Sequence, residues 1–220
     1  MTGEAITVGR EQSKQRFLFV GNHSCLDFIN TQMIVRGNLT DLLGGHADFV
    51  DWLVRAKILS QAQASAVSTE WSRKEREQLL EQGILFRKTL RDIAERIVAR
   101  RPISASSIKS INQLTARRPG YTQLSYAEGR FERRFQPYAA QKDGLLAPLA
   151  EAAIDLLCTG DLSLVKKCGN TACILYFYDT TKNHARNWCS MRLCGNRMKV
   201  AAHYRKKQRK AKEKLPRRRN

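Results

Sequence analysis

Four cysteines in the last quarter of the sequence are the residues whose type and spacing most directly indicate chemistry. Four residues separate Cys168 from Cys173, fifteen separate Cys173 from Cys189, and four separate Cys189 from Cys194. Two thiolate pairs joined by a connector of this length can supply a tetrahedral four-sulfur site for zinc. Because four sulfur ligands leave no open position for water, the spacing favours a structural zinc ion over a hydrolytic one.

The size of this region also favours a metal. Its candidate core consists of six large apolar residues, namely Ile174, Leu175, Phe177, Tyr178, Trp188 and Leu193. A unit of about forty residues with so small a core needs a cross-link such as a metal to offset its chain entropy. Two alternatives remain open: His184 could replace one thiolate as a ligand, or the four cysteines could hold an iron–sulfur cluster. Zinc is the default metal. Cys25 and Cys158 lie in apolar stretches outside the pairs and are predicted to be buried.

Positive charge is concentrated in the same part of the chain. The sequence has 39 Lys and Arg residues against 20 Asp and Glu residues, a formal net charge of +19. From residue 166 onward there are 17 basic residues against Asp179 and Glu213, which gives this quarter a net charge of +15. The first 165 residues carry the remaining +4. This asymmetry predicts a polyanionic partner, most simply nucleic acid, for the C-terminal quarter alone.

A basic helix is predicted directly after the last cysteine. In GNRMKVAAHYRKKQRKAKEK, the residues Arg197, Val200, Ala201 and Tyr204 recur at helical spacing. A helix held at its start by zinc could lie in a major groove or along phosphates. The candidate nucleic-acid contacts are Arg186, Arg192, Arg197, Lys199, Arg205 and Lys206. Residues 206–220 are too charged to pack and are predicted to form a disordered tail.

The elements that must carry this region are mostly helices. Apolar residues at spacings of three and four predict helices in HADFVDWLVRAKIL, after Ser60, in SRKEREQLLEQGILFRKTLRDIAERIVARR, after Pro102 and in DGLLAPLAEAAIDLLCTG. Ser72 and Glu75 have the spacing of a capping box. Alternation around a Glu-Gly turn predicts a hairpin in YTQLSYAEGRFERRFQPY, and RFLFVGNHSCLDFINT is interpreted as short strands or a strand and a turn.

These elements predict an α+β protein that is mostly helical. A helical domain with a small antiparallel sheet is expected over 15–160, a zinc-ribbon-like finger over 161–205, and the basic tail beyond it. The sequence has no run of eighteen apolar residues, and its N-terminus lacks the apolar centre of a secretory signal. We therefore expect a cytoplasmic protein without a membrane partner.

Polar residues near the start of the helical domain define a second candidate site. His23, Asp27 and Asn30 could line a small-molecule pocket, or they could cap turns instead. No nucleophile elbow, phosphate-binding loop or metal-carboxylate pattern accompanies them. The sequence therefore predicts a protein that is not an enzyme.

Two stretches resemble known families. CGNTAC, YDTTKNHARNWCSM and CGNRMKV resemble the CGNR-type zinc finger, named for the residues found here as Cys194, Gly195, Asn196 and Arg197. VGNHSCLDFINT resembles the start of the helical domain that precedes this finger in bacterial proteins described as stress-induced transcription regulators. The resemblance implies a bacterial regulator that binds one zinc ion through its four cysteines.

The leading hypothesis is a DNA-binding transcription regulator whose N-terminal domain senses a small-molecule effector or dimerises. One finger reads few base pairs, so a homodimer on paired half-sites is expected. An RNA- or ribosome-associated zinc ribbon is the alternative from another class. In a third hypothesis, oxidation of the thiolates ejects zinc and releases the nucleic acid.

Overall fold

The computed structural model describes residues 16–117, 120–127, 130–137 and 144–213. Within these ranges the chain forms seven helices and three two-stranded antiparallel sheets, which confirms the expected, mostly helical α+β class. In chain order the elements are α1 (Ser24–Ile29), β1 (Gln32–Val35), β2 (Asn38–Asp41), α2 (His46–Arg55), α3 (Gln61–Glu70), α4 (Arg73–Val98), α5 (Ala105–Thr115), β3 (Gly120–Ala127), β4 (Arg130–Pro137), α6 (Ala147–Thr159), β5 (Val165–Lys167), β6 (Tyr176–Tyr178) and α7 (Asn196–Glu213).

Helix α4 is the longest element and contacts α1, α2 and α5. The predicted capping box is confirmed, because the Ser72 hydroxyl accepts from the Glu75 amide while the Glu75 carboxylate accepts from the Ser72 amide. A β-carbon at Gly83 would lie only 2.4 Å from the ring of buried Phe49. Glycine is therefore tolerated inside α4 despite its low helix propensity, because it lets α2 pack closely.

Helix α1 corrects the strand interpretation of RFLFVGNHSCLDFINT. Ser24–Ile29 is helical, and Cys25, Leu26, Phe28 and Ile29 are all buried. Because α1 is surrounded by α4, α6 and the sheet of β5 and β6, its burial has no two-residue or one-face periodicity. The local pattern could therefore not reveal this short helix.

The hairpin of β1 and β2 was not predicted from the sequence. It turns at Arg36 and Gly37, whose φ angles of 52° and 86° both lie in the left-handed region. Arg-Gly is a weaker turn signal than Asn-Gly, which explains the omission. Arg87 of α4 donates to Asp41 and to the Thr31 hydroxyl, and this buried guanidinium fastens the hairpin to the helical core. The hairpin predicted in YTQLSYAEGRFERRFQPY is confirmed as β3 and β4.

Two further expectations differ from the structure. Cys158 is exposed near the end of α6, because Ala153 and Leu156 occupy the buried face instead. Helix α7 continues to Glu213, past residue 206 where the tail was expected to begin. Its Lys, Arg, Gln and Ala residues have high helix propensity, which permits a helix without a buried face. Residues 214–220 of the predicted tail lie outside the described residues.

Within the described parts of the chain, no helix has the length and hydropathy needed to cross a bilayer.

Candidate zinc centre and nucleic-acid interface

The first cysteine pair flanks the turn between β5 and β6. The Cys168 amide donates to the Leu175 carbonyl at 2.9 Å, and the Cys173 amide donates to the Asn170 carbonyl at 2.8 Å. Buried Asn170 shapes the turn further, because its side-chain oxygen accepts from the Ala172 amide. These bonds direct the first two thiols toward the same side of the short sheet.

The second pair lies on a loop and a π-helical turn that spans Met191–Gly195. The amides of Cys194 and Gly195 both donate to the Ser190 carbonyl at 3.0 Å. This turn carries Cys194 back toward Cys189 and runs directly into α7. The second pair therefore couples any metal at this site to the start of the basic helix.

The four thiols converge on one point. The sulfur atoms of Cys168, Cys173, Cys189 and Cys194 all lie within 4.8 Å of one another, and the Cys173 and Cys189 sulfurs are 3.9 Å apart. Tetrahedral zinc with Zn–S bonds of about 2.3 Å places its sulfur ligands about 3.8 Å apart. The cluster thus fits zinc. His184 lies outside this cluster, and its Nδ1 atom is 3.3 Å from the Asp179 carbonyl oxygen.

Hydrogen bonds within the cluster favour the thiolate form of Cys173, whereas burial raises the pKa of Cys168 and the hydrogen bond with Cys173 raises the pKa of Cys189. The Asn170 side-chain amide donates to the Cys194 sulfur and the Cys189 amide donates to the Cys168 sulfur, both at 3.4 Å. A hydrogen bond with the Cys189 thiol lowers the pKa of Cys173 to about 5, despite burial. Zinc bound here would cross-link the two pairs and hold the finger and the start of α7 together.

The finger completes its small core with residues from the beginning of the chain. Leu175 and Phe177 are buried beside Cys168, Cys189 and Cys194. The partly buried residues that pack against this cluster include Leu18, Val20 and Met33. The finger is therefore built onto the helical domain, not tethered to it by a free linker.

Asn30, one of the residues predicted to line a ligand pocket, lies at this junction. Its side chain is fully buried, with Oδ1 accepting from the Tyr176 amide at 2.9 Å and Nδ2 donating to the Tyr176 carbonyl at 2.8 Å. The primary amide thus occupies the place of a neighbouring strand on the open edge of β6. Farther along that edge, the Tyr178 amide donates to the Gly21 carbonyl and the Asn22 side chain donates to the Tyr178 carbonyl.

Asp27 and His23 have different surroundings. The buried Asp27 carboxylate accepts from the Gly21 amide at 2.7 Å and so holds the backbone that pairs with β6. Burial raises the pKa of Asp27 to about 6, against the effect of hydrogen bonds from the Gly21 and Val20 amides. The Nδ1 atom of His23 is buried without a hydrogen-bond partner among the described residues, and burial lowers its pKa.

Comparison with known families accounts for both units. Residues 22–160 match the ABATE family, described as a putative stress-induced transcription regulator, and residues 165–207 match the CGNR zinc finger. The chain belongs to the ABATE family. Neither match is to an enzyme family, and no curated protein matches the chain. The four-cysteine cluster lies within the CGNR finger, and the junction residues Asn22, Asp27 and Asn30 lie at the start of the ABATE domain, which Gly21 directly precedes.

Arg186, a candidate nucleic-acid contact, is engaged inside the CGNR finger. Its guanidinium lies 4.1 Å above the Phe177 ring and donates to the carbonyls of Val20, Trp188 and Cys189. These contacts join the loop before Cys189 to the N-terminal segment. No signal in the sequence distinguished this arginine from the exposed ones, because its partners are backbone carbonyls.

The other candidate contacts lie on the outside of the CGNR finger. Arg192 is exposed on the π-helical turn, and the four candidates on α7 are exposed along its length, namely Arg197, Lys199, Arg205 and Lys206. From residue 196 to residue 209 only Met198 and Ala201 are partly buried, and the rest of the helix surface is exposed. Both Val200 and Tyr204 expose more than half of their side-chain surface.

Proposed function

We propose that this ABATE protein is a bacterial, cytoplasmic transcription regulator that binds double-stranded DNA through its CGNR finger and helix α7. The observation that carries the proposal is an exposed basic helix fixed at its start by the four-cysteine cluster. Helix α7 contains eight Lys and Arg residues and one Glu. An isolated helix of this composition repels itself, and a polyanion relieves that repulsion.

The dimensions of α7 suit a DNA groove. Its 18 residues extend about 27 Å, and a major groove about 12 Å wide admits one helix. Arg197 and Lys199 lie in the first turn beside the finger, whereas Arg205 and Lys206 lie two turns farther along. We assign the distal pair to phosphate contacts, and Arg192 with the first turn to the region where the finger meets the duplex.

The ABATE domain would control this interaction without catalysing a reaction. We propose that it forms a homodimer, which would place two CGNR fingers on paired half-sites and multiply their sequence discrimination. A small-molecule effector bound to the same domain could alter the geometry of the pair. Light scattering of the full chain with and without DNA tests the dimer; a monomer in both states would contradict it.

The test of DNA binding is duplex affinity of the full zinc-loaded chain over a salt series. Replacing Arg205 and Lys206 with Gln is expected to reduce affinity. The plot of the logarithm of the binding constant against the logarithm of the salt concentration should become shallower in slope by about 2. The matched control replaces Lys74 and Lys88, two exposed lysines of α4, with Gln. That control removes the same charge and should leave the slope unchanged.

Several outcomes would contradict the proposal. Equal slopes for the two double variants would mean that α7 does not contact the duplex. Tighter binding to single-stranded or structured RNA than to any duplex DNA would favour the RNA-associated alternative. Zinc removal should weaken duplex binding; unchanged binding after chelation would leave the four-cysteine cluster without a role in it.

A further inference from the structure

The loop between β6 and the second cysteine pair is organised by one buried carboxylate. Asp179 is fully buried at the end of β6. One of its oxygens accepts from the amide and hydroxyl of Thr181, at 3.0 and 2.6 Å, and the other accepts from the Arg186 amide at 2.9 Å. A single side chain therefore holds Thr181 and Arg186, near the two ends of the segment 181–187, which we call the Asp179 loop.

Further contacts fix the middle of the Asp179 loop. Lys166 donates to the second Asp179 oxygen at 2.7 Å and to the His184 carbonyl at 2.6 Å. The His184 amide donates to the Thr181 carbonyl, and His184 adopts a left-handed conformation with φ of 47°. At the far end, the Asn187 carbonyl accepts from the Gly169 amide at 2.8 Å, beside the first cysteine. The loop backbone is thus tied at four places.

This organisation supports exposed polar side chains. Lys182, Asn183 and Asn187 are exposed, and their side chains have no hydrogen-bond partner among the described residues. A buried carboxylate is costly unless fully paired. Burial would by itself raise the pKa of Asp179, but hydrogen bonds from Lys166, Thr181 and the Arg186 amide hold it well below its usual range. A network of hydrogen bonds to one buried carboxylate is expected where the exposed side chains of a loop must be held in a defined geometry.

The Asp179 loop adjoins the start of α7. A groove of about 530 Å³ is lined by the loop, Trp188 and Met191, and none of the described residues that line it is acidic. Met191 begins the π-helical turn that runs into α7. The lining of the groove includes the apolar side chains of Ala185, Trp188 and Met191 together with the polar side chains of Lys182, Asn183 and Asn187. The loop and α7 are therefore neighbouring parts of one finger surface.

We propose that the Asp179 loop reads base edges of DNA, with Asn183 and Asn187 as specificity-determining residues and Lys182 on a phosphate, while α7 supplies sequence-independent affinity. This inference rests on the proposed DNA-binding function. An asparagine amide pairs in two-point fashion with the N6 and N7 atoms of adenine, and the apolar residues that line the groove suit the methyl group of thymine. The preferred site should therefore contain A·T base pairs where the loop meets the duplex.

The test begins with selection of preferred duplexes from a random pool by the full zinc-loaded chain. Affinity for the selected duplex and for a scrambled one is then measured for Asn183→Ala, Asn187→Ala and the double variant. We expect the double variant to lower the selected-to-scrambled affinity ratio by about 10- to 100-fold, the usual range for a lost two-point base contact. Affinity for the scrambled duplex and the salt slope should not change. Asn112→Ala, at an exposed asparagine of α5, is the matched control.

Asp179→Asn tests whether the loop must be held in place. This substitution keeps the side-chain shape but replaces an acceptor with an amide that meets the Arg186 amide or Lys166. We expect faster hydrogen exchange at Thr181 and Arg186, one retained zinc ion per chain and a reduced affinity ratio. Zinc loss together with equal weakening on both duplexes would mean that Asp179 only stabilises the finger, and would contradict the positioning role.

The two proposals fail in different ways. If the chain binds duplex DNA but the double variant keeps its affinity ratio, the loop does not read bases and the function of α7 stands. The same conclusion follows if selection yields no preferred sequence, or if affinity for both duplexes falls equally. If the chain binds no duplex DNA at any salt concentration, the proposed function itself is wrong.

Discussion

The ABATE domain and the CGNR finger bury their interiors in different ways. In the ABATE domain, side chains from helices α1 to α6 cover one another, and the rings of Phe28 and Trp52 lie 4.7 Å apart at a fully buried centre. In the CGNR finger, Leu175 and Phe177 share the buried cluster with three cysteines. The comparison shows that one unit can rely on apolar burial, whereas the other needs a metal cross-link as well.

Where the two units meet, the finger is stabilised by contacts with the helical domain as well as by its own core. The open edge of β6 is covered by the Asn30 amide of the ABATE domain and by the carbonyl of Gly21, which directly precedes that domain. Arg91 of α4 adds contacts to the carbonyls of Ile29 and Ile174, one on each side. The finger therefore takes part of its stability from the larger core, which the following predictions separate from the contribution of zinc.

The largest expected effect is loss of zinc. Cys173→Ser should abolish stoichiometric zinc binding and raise hydrogen exchange across β6 to the level of an open segment, because the finger core alone is too small. Amides of α4 should stay protected, since the ABATE core does not depend on the metal. Hydrogen exchange resolved by peptide and metal analysis would measure both effects.

Cys158→Ser is the matched control for the zinc prediction, because Cys158 is exposed on α6 and lies outside the four-cysteine cluster. It should retain one zinc ion per chain and normal protection of β6. A finger that kept its protection in Cys173→Ser would show that the junction, not the metal, holds it together.

An intermediate effect is expected at the junction. Asn30→Ala leaves the buried Tyr176 amide and carbonyl without their partner and should lower the free energy of unfolding by about 2–4 kcal/mol. Denaturant unfolding of zinc-loaded protein measures this loss. Ser72→Ala removes only the cap of α4 and should cost about 1 kcal/mol. Equal losses in the two variants would contradict a structural role for the Asn30 pair.

The smallest effect concerns pH. The folded-state pKa of Asp27, about 6, lies above its unfolded value, so the folded chain binds this proton more tightly. The contribution of Asp27 to stability is therefore greater at pH 5 than at pH 7.5 and falls as pH rises through 6. Asp27→Asn retains an acceptor for the Gly21 amide but cannot ionise.

The measurement is the difference in unfolding free energy between wild type and Asp27→Asn, both with excess zinc, over pH 5–7.5. Relative to the variant, wild type should lose about 1–2 kcal/mol across this range. Because zinc binding affects both proteins alike, the difference isolates Asp27. A difference that is constant with pH would mean that the carboxyl group titrates normally.

The parts of the fold that the sequence predicted are those with local signals. The long helix α4 has an apolar stripe and a capping box, and the hairpin of β3 and β4 has alternation around a turn. The zinc site was predicted because ligand type and spacing are themselves local. By contrast, the pairing of Asn30 with Tyr176 joins residues 146 positions apart, and neither residue's neighbours indicate it.

The candidate surface residues divide in the same way. The sequence indicated that α7 would be basic, and the structure extends this helix to Glu213. It could not separate Arg186, which is held by Phe177 and three carbonyls, from Arg192 and the exposed arginines of α7. Asp179 gave no signal at all, because its partners are brought together only when β6 and the loop after it have formed.

The sequence by itself determined the helical character of the first unit, the four-cysteine zinc finger and the concentration of charge after it. Each of these depends on residue type at short spacing, which the chain carries whether folded or not. The tertiary structure alone decided that the opening motif of the ABATE domain completes the finger's sheet and that a buried carboxylate holds a polar loop beside α7. Such contacts depend on which distant backbone groups remain unpaired after the elements pack, and that is known only once they have packed.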